Sequence, residues 1–315
     1  MSVSQVSTGR VVVTGTSSQV RSDGGERSWR IEGMRSGVAW FGLGMDLEVV
    51  LPDESPSMPV TSLVELARAA EELGYTTAWL PDHVLPPGEF GATFGGVYEP
   101  LVTIGHLTAV TERLRFGTSV LVAPLRNPFV LAKQVATLQQ LSAGRMILGV
   151  GVGWSEPEFE ALGADHGSRG AVTDDALAVM THLLTGGKAP YRGRRFSYDQ
   201  GVFAPRTDTP VPVMVGGNSD AALRRAARYA DIWQGIPSSP DHFADRARML
   251  ADLAEGRAVA ATLRIGWDDE APVEQVADEV RRYRQAGAAS VAVHVGGHER
   301  ARDRMAALGE AVAGE

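Results

Sequence analysis

The chain is expected to be an α/β protein, a (β/α)8 TIM barrel with an insertion segment. Eight short apolar runs alternate strictly with amphipathic helical stretches from Val38 onward. Eight such units favour a closed barrel over an open doubly wound sheet. The runs are near-continuous rather than alternating, as parallel strands buried on both faces require. The 315 residues also exceed the ~250 that a barrel of this kind typically takes, which leaves room for additions.

In chain order, residues 1–33 are rich in Ser, Gly, Thr and Arg and lack apolar periodicity. They are expected to be a disordered leader, with the barrel domain over 34–315. Within the leader, Arg10 to Val20 (RVVVTGTSSQV) imitates the first strand and turn of a dinucleotide fold. It lacks the further glycines that must open the following helix. Strands are predicted at Val38–Gly44, Thr77–Pro81, Leu114–Val122 and Arg145–Gly151, then at Val211–Val215, Asp231–Gly235, Val259–Ile265 and Ser290–Val295. Leu63, Leu66, Ala67, Ala70 and Leu73 share one helical face, and Gly74 stands where a C-cap belongs. Val130, Leu131, Val135, Leu138 and Leu141 repeat the pattern before Gly144, as do Val273, Val276, Val280 and Tyr283 before Gly287. Gly186 to Pro210 is the long irregular stretch, and a loop of that length is expected to serve the active site.

Composition removes several function classes. The formal charge of −8 gives no general footprint for nucleic acid. Zero cysteine excludes disulfides, thiolate metal sites and cysteine nucleophiles. No apolar run approaches the ~18 residues of a membrane span, and no signal-peptide core is visible. A cytoplasmic protein without a metal is expected.

Chemistry in such barrels sits at the C-terminal strand ends. Here those ends carry Asp82-His83, Ser119-Val120, Gly149 to Trp154 (GVGVGW), Gly216 to Ser219 (GGNS) and His294 to Gly297. A histidine there can exchange protons near neutral pH, and the aspartate before it could orient it, although a helix cap beside a packing histidine has the same look. GGNS opens a helix, and small residues with unpaired backbone N–H groups suit a phosphate, with Gly296-Gly297 as the rival site. An ordinary capped turn is the plainer reading. Arg192, Arg194 and Arg195 form a basic cluster, either a solvated hairpin or a landing site for an anionic tail.

Three stretches resemble a known family: ELGYTTAWLPDHV, RFGTSVLVAPLRNPFVLAKQVATLQQLSAGRMILGVGVGW and VPVMVGGNSDAALRRAARYADIWQ. They are similar to the bacterial luciferase-like superfamily, and within it to oxidoreductases that use the deazaflavin coenzyme F-420. The resemblance implies a (β/α)8 barrel, with His83 beside the reacting carbon as the catalytic residue. It implies cofactor contacts at Asp82, Ser119, Val120, Gly151, Val152, Gly153, Gly216, Gly217 and Asn218. It further implies a cis peptide between Ser119 and Val120 supporting the ring, and a homodimer by analogy of fold. One departure matters: Trp154 stands where the sugar-phosphate dehydrogenases of this branch carry a glutamate proton donor, which speaks against that substrate. The function implied is hydride transfer between coenzyme F-420 and a small organic substrate. The alternatives are an FMN-dependent monooxygenase using reduced flavin and dioxygen, and a non-catalytic cofactor-binding protein.

Overall fold

The structure is a computed structural model that describes residues 47–52, 58–86, 88, 97–207 and 209–313, all in one compact unit. The strands are β1 (Leu47–Val50), β2 (Thr77–Leu80), β3 (Arg115–Thr118), β4 (Leu121–Val122), β5 (Met146–Gly151), β6 (Tyr191–Arg192), β7 (Ser197–Tyr198), β8 (Val213–Gly216), β9 (Ile232–Gly235), β10 (Ala260–Gly266) and β11 (Val291–His294). The helices are α1 (Val60–Glu72), α2 (Pro100–Thr108), α3 (Pro128–Leu141), α4 (Glu156–Ala161), α5 (Arg169–Leu184), α6 (Asp220–Tyr229), α7 (Pro240–Leu253), α8 (Val273–Gln285) and α9 (His298–Ala313).

Pairings run β1–β2–β3–β5–β8–β9–β10–β11 and back to β1, every one parallel, so eight positions close a barrel. The period-two geometry of each strand divides its side chains between two cores. Val49, Ala78, Phe116, Leu148, Val215, Leu263 and Val293 face the helices, while Val50, Trp79, Ile147, Met214, Ile232 and Ala292 fill the barrel. Two-sided burial is why the strands read as continuous apolar runs.

One strand prediction is corrected, and another falls on residues that are not described. The segment Val38–Gly44 lies outside the described residues, as does the leader 1–33, and the first position of the closed barrel is held by β1. Glu48 interrupts the apolar run there and so disguises it. Its carboxylate is buried inside the barrel and accepts a hydrogen bond from Trp79 Nε1 at 2.7 Å. The run Leu114–Val122 is two strands, β3 and β4, broken at Ser119-Val120, with β4 pairing only with β5.

Helices follow the predicted stripes with local exceptions. Leu131, Val135 and Leu138 carry the buried face of α3, whereas Val130 and Leu141 are exposed. In α1, Leu63, Leu66, Ala67 and Ala70 are buried and Leu73 is exposed. Asn127 caps α3, its Oδ1 accepting from Phe129 N at 3.0 Å and Val130 N at 3.3 Å.

The insertion spans the long irregular stretch from Gly186 to Pro210. It contains the antiparallel hairpin β6–β7, then runs along the outside of α3. Phe129 meets Phe196 and Tyr198 edge-on, and Gln140 Nε2 donates to Arg206 O at 2.6 Å. Gln139 Nε2 donates to Thr209 O and Pro210 O. The arginine cluster is satisfied locally: Arg194 and Arg195 pair with Asp175, and Arg192 with Asp199. The hairpin is solvated and ion-paired.

Candidate active site

The C-terminal end of β2 delivers Asp82 and His83 in succession, so their side chains diverge. Asp82 is buried. Its Oδ2 accepts from Val122 N at 2.8 Å and Arg126 Nη1 at 2.7 Å, and its Oδ1 from Arg126 Nη2 at 2.8 Å. This two-pronged ion pair engages both carboxylate oxygens and braces the Ser119–Val122 segment against β2. The aspartate does not orient His83. That role falls to Glu158 in the first turn of α4, whose Oε2 lies 3.1 Å from His83 Nδ1. The other oxygen, Oε1, accepts from Val84 N at 2.6 Å and Leu85 N at 2.9 Å. Trp154 approaches the His83 ring edge-on at 5.5 Å.

The Ser119–Val120 peptide is cis, the form that the resemblance implies. Ser119 Oγ donates to Gln234 Oε1 at 2.6 Å, and Ser119 O accepts from Arg264 Nη1 at 3.0 Å. Strands β3, β9 and β10 are thereby joined at the mouth. Val120 stands in a cradle of two glycines. A Cβ on Gly151 would lie 2.3 Å from Val120 Cγ2, and one on Gly216 would lie 2.5 Å from Val120 Cγ1. These glycines therefore answer first to Val120. Gly153 packs in the same way against Val122 and Phe159, and Val152 is half-buried beside it.

GGNS is tied to the strand beside it and to the residue that follows that strand. Gly217 N donates to Gln234 O at 3.1 Å, and Gly217 O accepts from Trp233 Nε1 at 2.8 Å. Asn218 Oδ1 accepts from Ile236 N at 2.9 Å, and its amide donates back to Ile236 O. Ser219 caps α6 through Ala222 N, and Asp220, paired with Arg246, puts a carboxylate in the first turn. The Asn218 and Ser219 side chains are thus engaged within the protein, and Asp220 opposes an anion at this helix start. At the rival turn, Arg304 Nη1 donates to Val295 O at 3.0 Å and pairs with Asp269, so a buried cation stands beside Gly296.

Sequence reasoning assigned no role to Arg126, Glu158, Gln234, Arg264 or His294. His294, at the end of β11, has its pKa pushed down to about 4 by burial and by the Arg264 and Arg304 guanidiniums. It is neutral at pH 7, and between about 4 and 6.5 the unfolded chain binds this proton while the folded chain does not. Stability should therefore fall as pH drops through that window. Denaturant unfolding at pH 7 and pH 5 should show a smaller loss in His294→Gln than in the wild type. An equal loss would remove His294 as a source of acid lability.

A family model described as luciferase-like monooxygenase matches residues 45–267. An uncharacterized protein of Mycobacterium tuberculosis (strain ATCC 25618 / H37Rv) is 35% identical over 211 residues, 62% of this chain and 73% of its own length. An F-420-dependent glucose-6-phosphate dehydrogenase of Nakamurella multipartita is 33% identical over 174 residues, 54% of this chain and 50% of the relative. Among solved structures, an F-420-dependent secondary alcohol dehydrogenase bound to an F-420–acetone adduct has a TM-score of 0.74 at 17% identity, covering 86% of this chain and 99% of that one. The FMN-bound oxygenating constituent of a type II Baeyer–Villiger monooxygenase from Pseudomonas putida has a TM-score of 0.70 at 13% identity, covering 87% and 99%. These two structures share the barrel. The family match takes in most of the strands and every site residue from Asp82 to Arg264, and the chain belongs to the luciferase-like monooxygenase family.

Proposed function

We propose that the protein is an oxidoreductase that transfers a hydride between coenzyme F-420 and a small organic substrate. The observation that carries this is the His83–Glu158 pair at the barrel mouth, an imidazole held by a buried carboxylate. The choice of F-420 over FMN is supported by the deazaflavin-dependent relative at 33% identity.

The site fits a ring with carbonyl edges. Gln234 is buried, its Oε1 is taken by Ser119, and its Nε2 finds no acceptor among the described residues. A buried donor of that kind costs about 1–3 kcal/mol when unsatisfied, so a ligand bringing a carbonyl oxygen there is favoured. Ser119, Val120, Gln234 and Arg264 would hold the ring side, with Asp82 acting on it through Val122 and Arg126. A bound deazaflavin supplies a carbon that accepts or returns a hydride. The chain's own part is to fix that ring, to exclude water and to manage one proton at His83. Val84, Leu85 and Trp154, apolar and 47%, 54% and 48% exposed, lie next to His83 and form an apolar wall for the substrate.

Fluorescence titration of the full chain with oxidised F-420 and with FMN tests the reading. F-420 should bind more tightly. Equal or reversed affinities would favour the flavin monooxygenase.

A further inference from the structure

We propose that Glu158 is the positioning residue that selects the tautomer of His83, placing hydrogen on Nδ1 and the exchangeable proton on Nε2. This rests on His83 being the proton-handling group proposed above.

The geometry is specific. The Glu158 side chain is 2% exposed and its two oxygens divide their work. Oε1 alone holds the loop, taking the N–H groups of Val84 and Leu85. Oε2 is turned to the imidazole. An ionised carboxylate offers acceptors only, so the nitrogen facing it must carry hydrogen. With Nδ1 protonated, the lone pair of the neutral ring lies on Nε2, and the proton gained on ionisation lies there too.

A helix cap does not account for the arrangement. Ser155 and Glu158 have the spacing of a capping box, and Ser155 Oγ does accept from Glu158 N at 3.3 Å. The reciprocal half of the box is replaced, because the Glu158 carboxylate is directed across to the β2 loop. Among the described residues, the charged groups on the elements packed about His83 are Asp82 with its partner Arg126, and on α4 the exposed Glu156 and Glu160 with the buried Glu158. Of these, Glu158 bonds the ring.

Glu158→Gln separates tautomer control from the loop clamp. The amide oxygen can still accept from Val84 and Leu85, while its NH2 now faces Nδ1 and requires Nδ1 to accept. Long-range proton–nitrogen NMR of 15N-histidine-labelled full chain, without cofactor, should show His83 with hydrogen on Nδ1 in the wild type. In the variant the hydrogen should be on Nε2. With a working substrate, the kcat of the variant should fall by at least ~10²-fold, as when a carboxylate orienting a catalytic histidine becomes an amide. The pH profile should shift, while cofactor affinity and Tm stay close to wild type. A wild-type ring with hydrogen on Nε2 would overturn the proposal even if the variant failed to fold. So would a variant whose tautomer matches the wild type. Unchanged turnover in His83→Ala would instead remove the proton role of His83 and leave the tautomer result standing, so the two failures are distinguishable.

Discussion

His83→Ala should lower turnover by about 10²–10⁴-fold, the usual consequence of losing a positioned acid–base group. The imidazole stands at the end of β2 against Glu158 and Trp154, on the same barrel mouth as the Ser119–Val120 segment. Its removal leaves that segment intact, because the ties at Ser119 run to Gln234 and Arg264, and those at Val122 to Asp82. Cofactor affinity should therefore change far less than the rate. Stopped-flow measurement of cofactor reduction, together with fluorescence titration, separates the two effects. Turnover equal to wild type would assign the proton to another group. His294 is poorly suited to replace it, since its pKa of about 4 keeps the ring neutral and weakly basic.

The barrel was legible because burial on both faces of a parallel strand writes itself into the sequence as an apolar run. Seven of the eight barrel positions announce themselves that way, and the eighth does not because Glu48 is paired inside the barrel with Trp79. The site was legible only where its chemistry is local. Asp82-His83 and Ser119-Val120 are adjacent pairs, and the family resemblance marks them. Their partners are not local: Arg126 lies 44 residues from Asp82, Glu158 lies 75 from His83, and Gln234 lies 115 from Ser119. No periodicity or turn rule reports such distances. Glu158 carries an added disguise, since Ser155 three residues before it reads as an ordinary capping box. GGNS was legible as a loop whose composition suits a phosphate, whereas its ties from Asn218 and Gly217 to Ile236 and Trp233 were not. Local chemistry identified the loop and could not say what it faces.

The Asp82–Arg126 pair gives the largest expected effect on stability. Arg126→Met should destabilise the fold by about 3–5 kcal/mol, the cost of leaving a buried charge without its partner. Asp82 is the more deeply buried partner, with a side chain 2% exposed against 15% for Arg126. Stripped of the guanidinium, its carboxylate keeps, among the described residues, only the Val122 N–H. Asp82→Leu should cost less, because Arg126 retains Glu99 at 3.3 Å and reaches solvent more easily. The double variant Asp82→Leu/Arg126→Met removes both charges and should recover most of the loss, since replacing a buried pair with apolar groups is often close to neutral. Cofactor affinity should fall most in the two variants that lack Asp82, because its carboxylate holds Val122, two residues beyond the cis peptide, against β2. Denaturant unfolding of the four proteins completes the cycle. Additive losses, with the double variant at least as unstable as Arg126→Met and Asp82→Leu combined, would mean that the two side chains act independently. Asp82 would then be a residue whose packing, rather than its charge, fixes the mouth of the barrel.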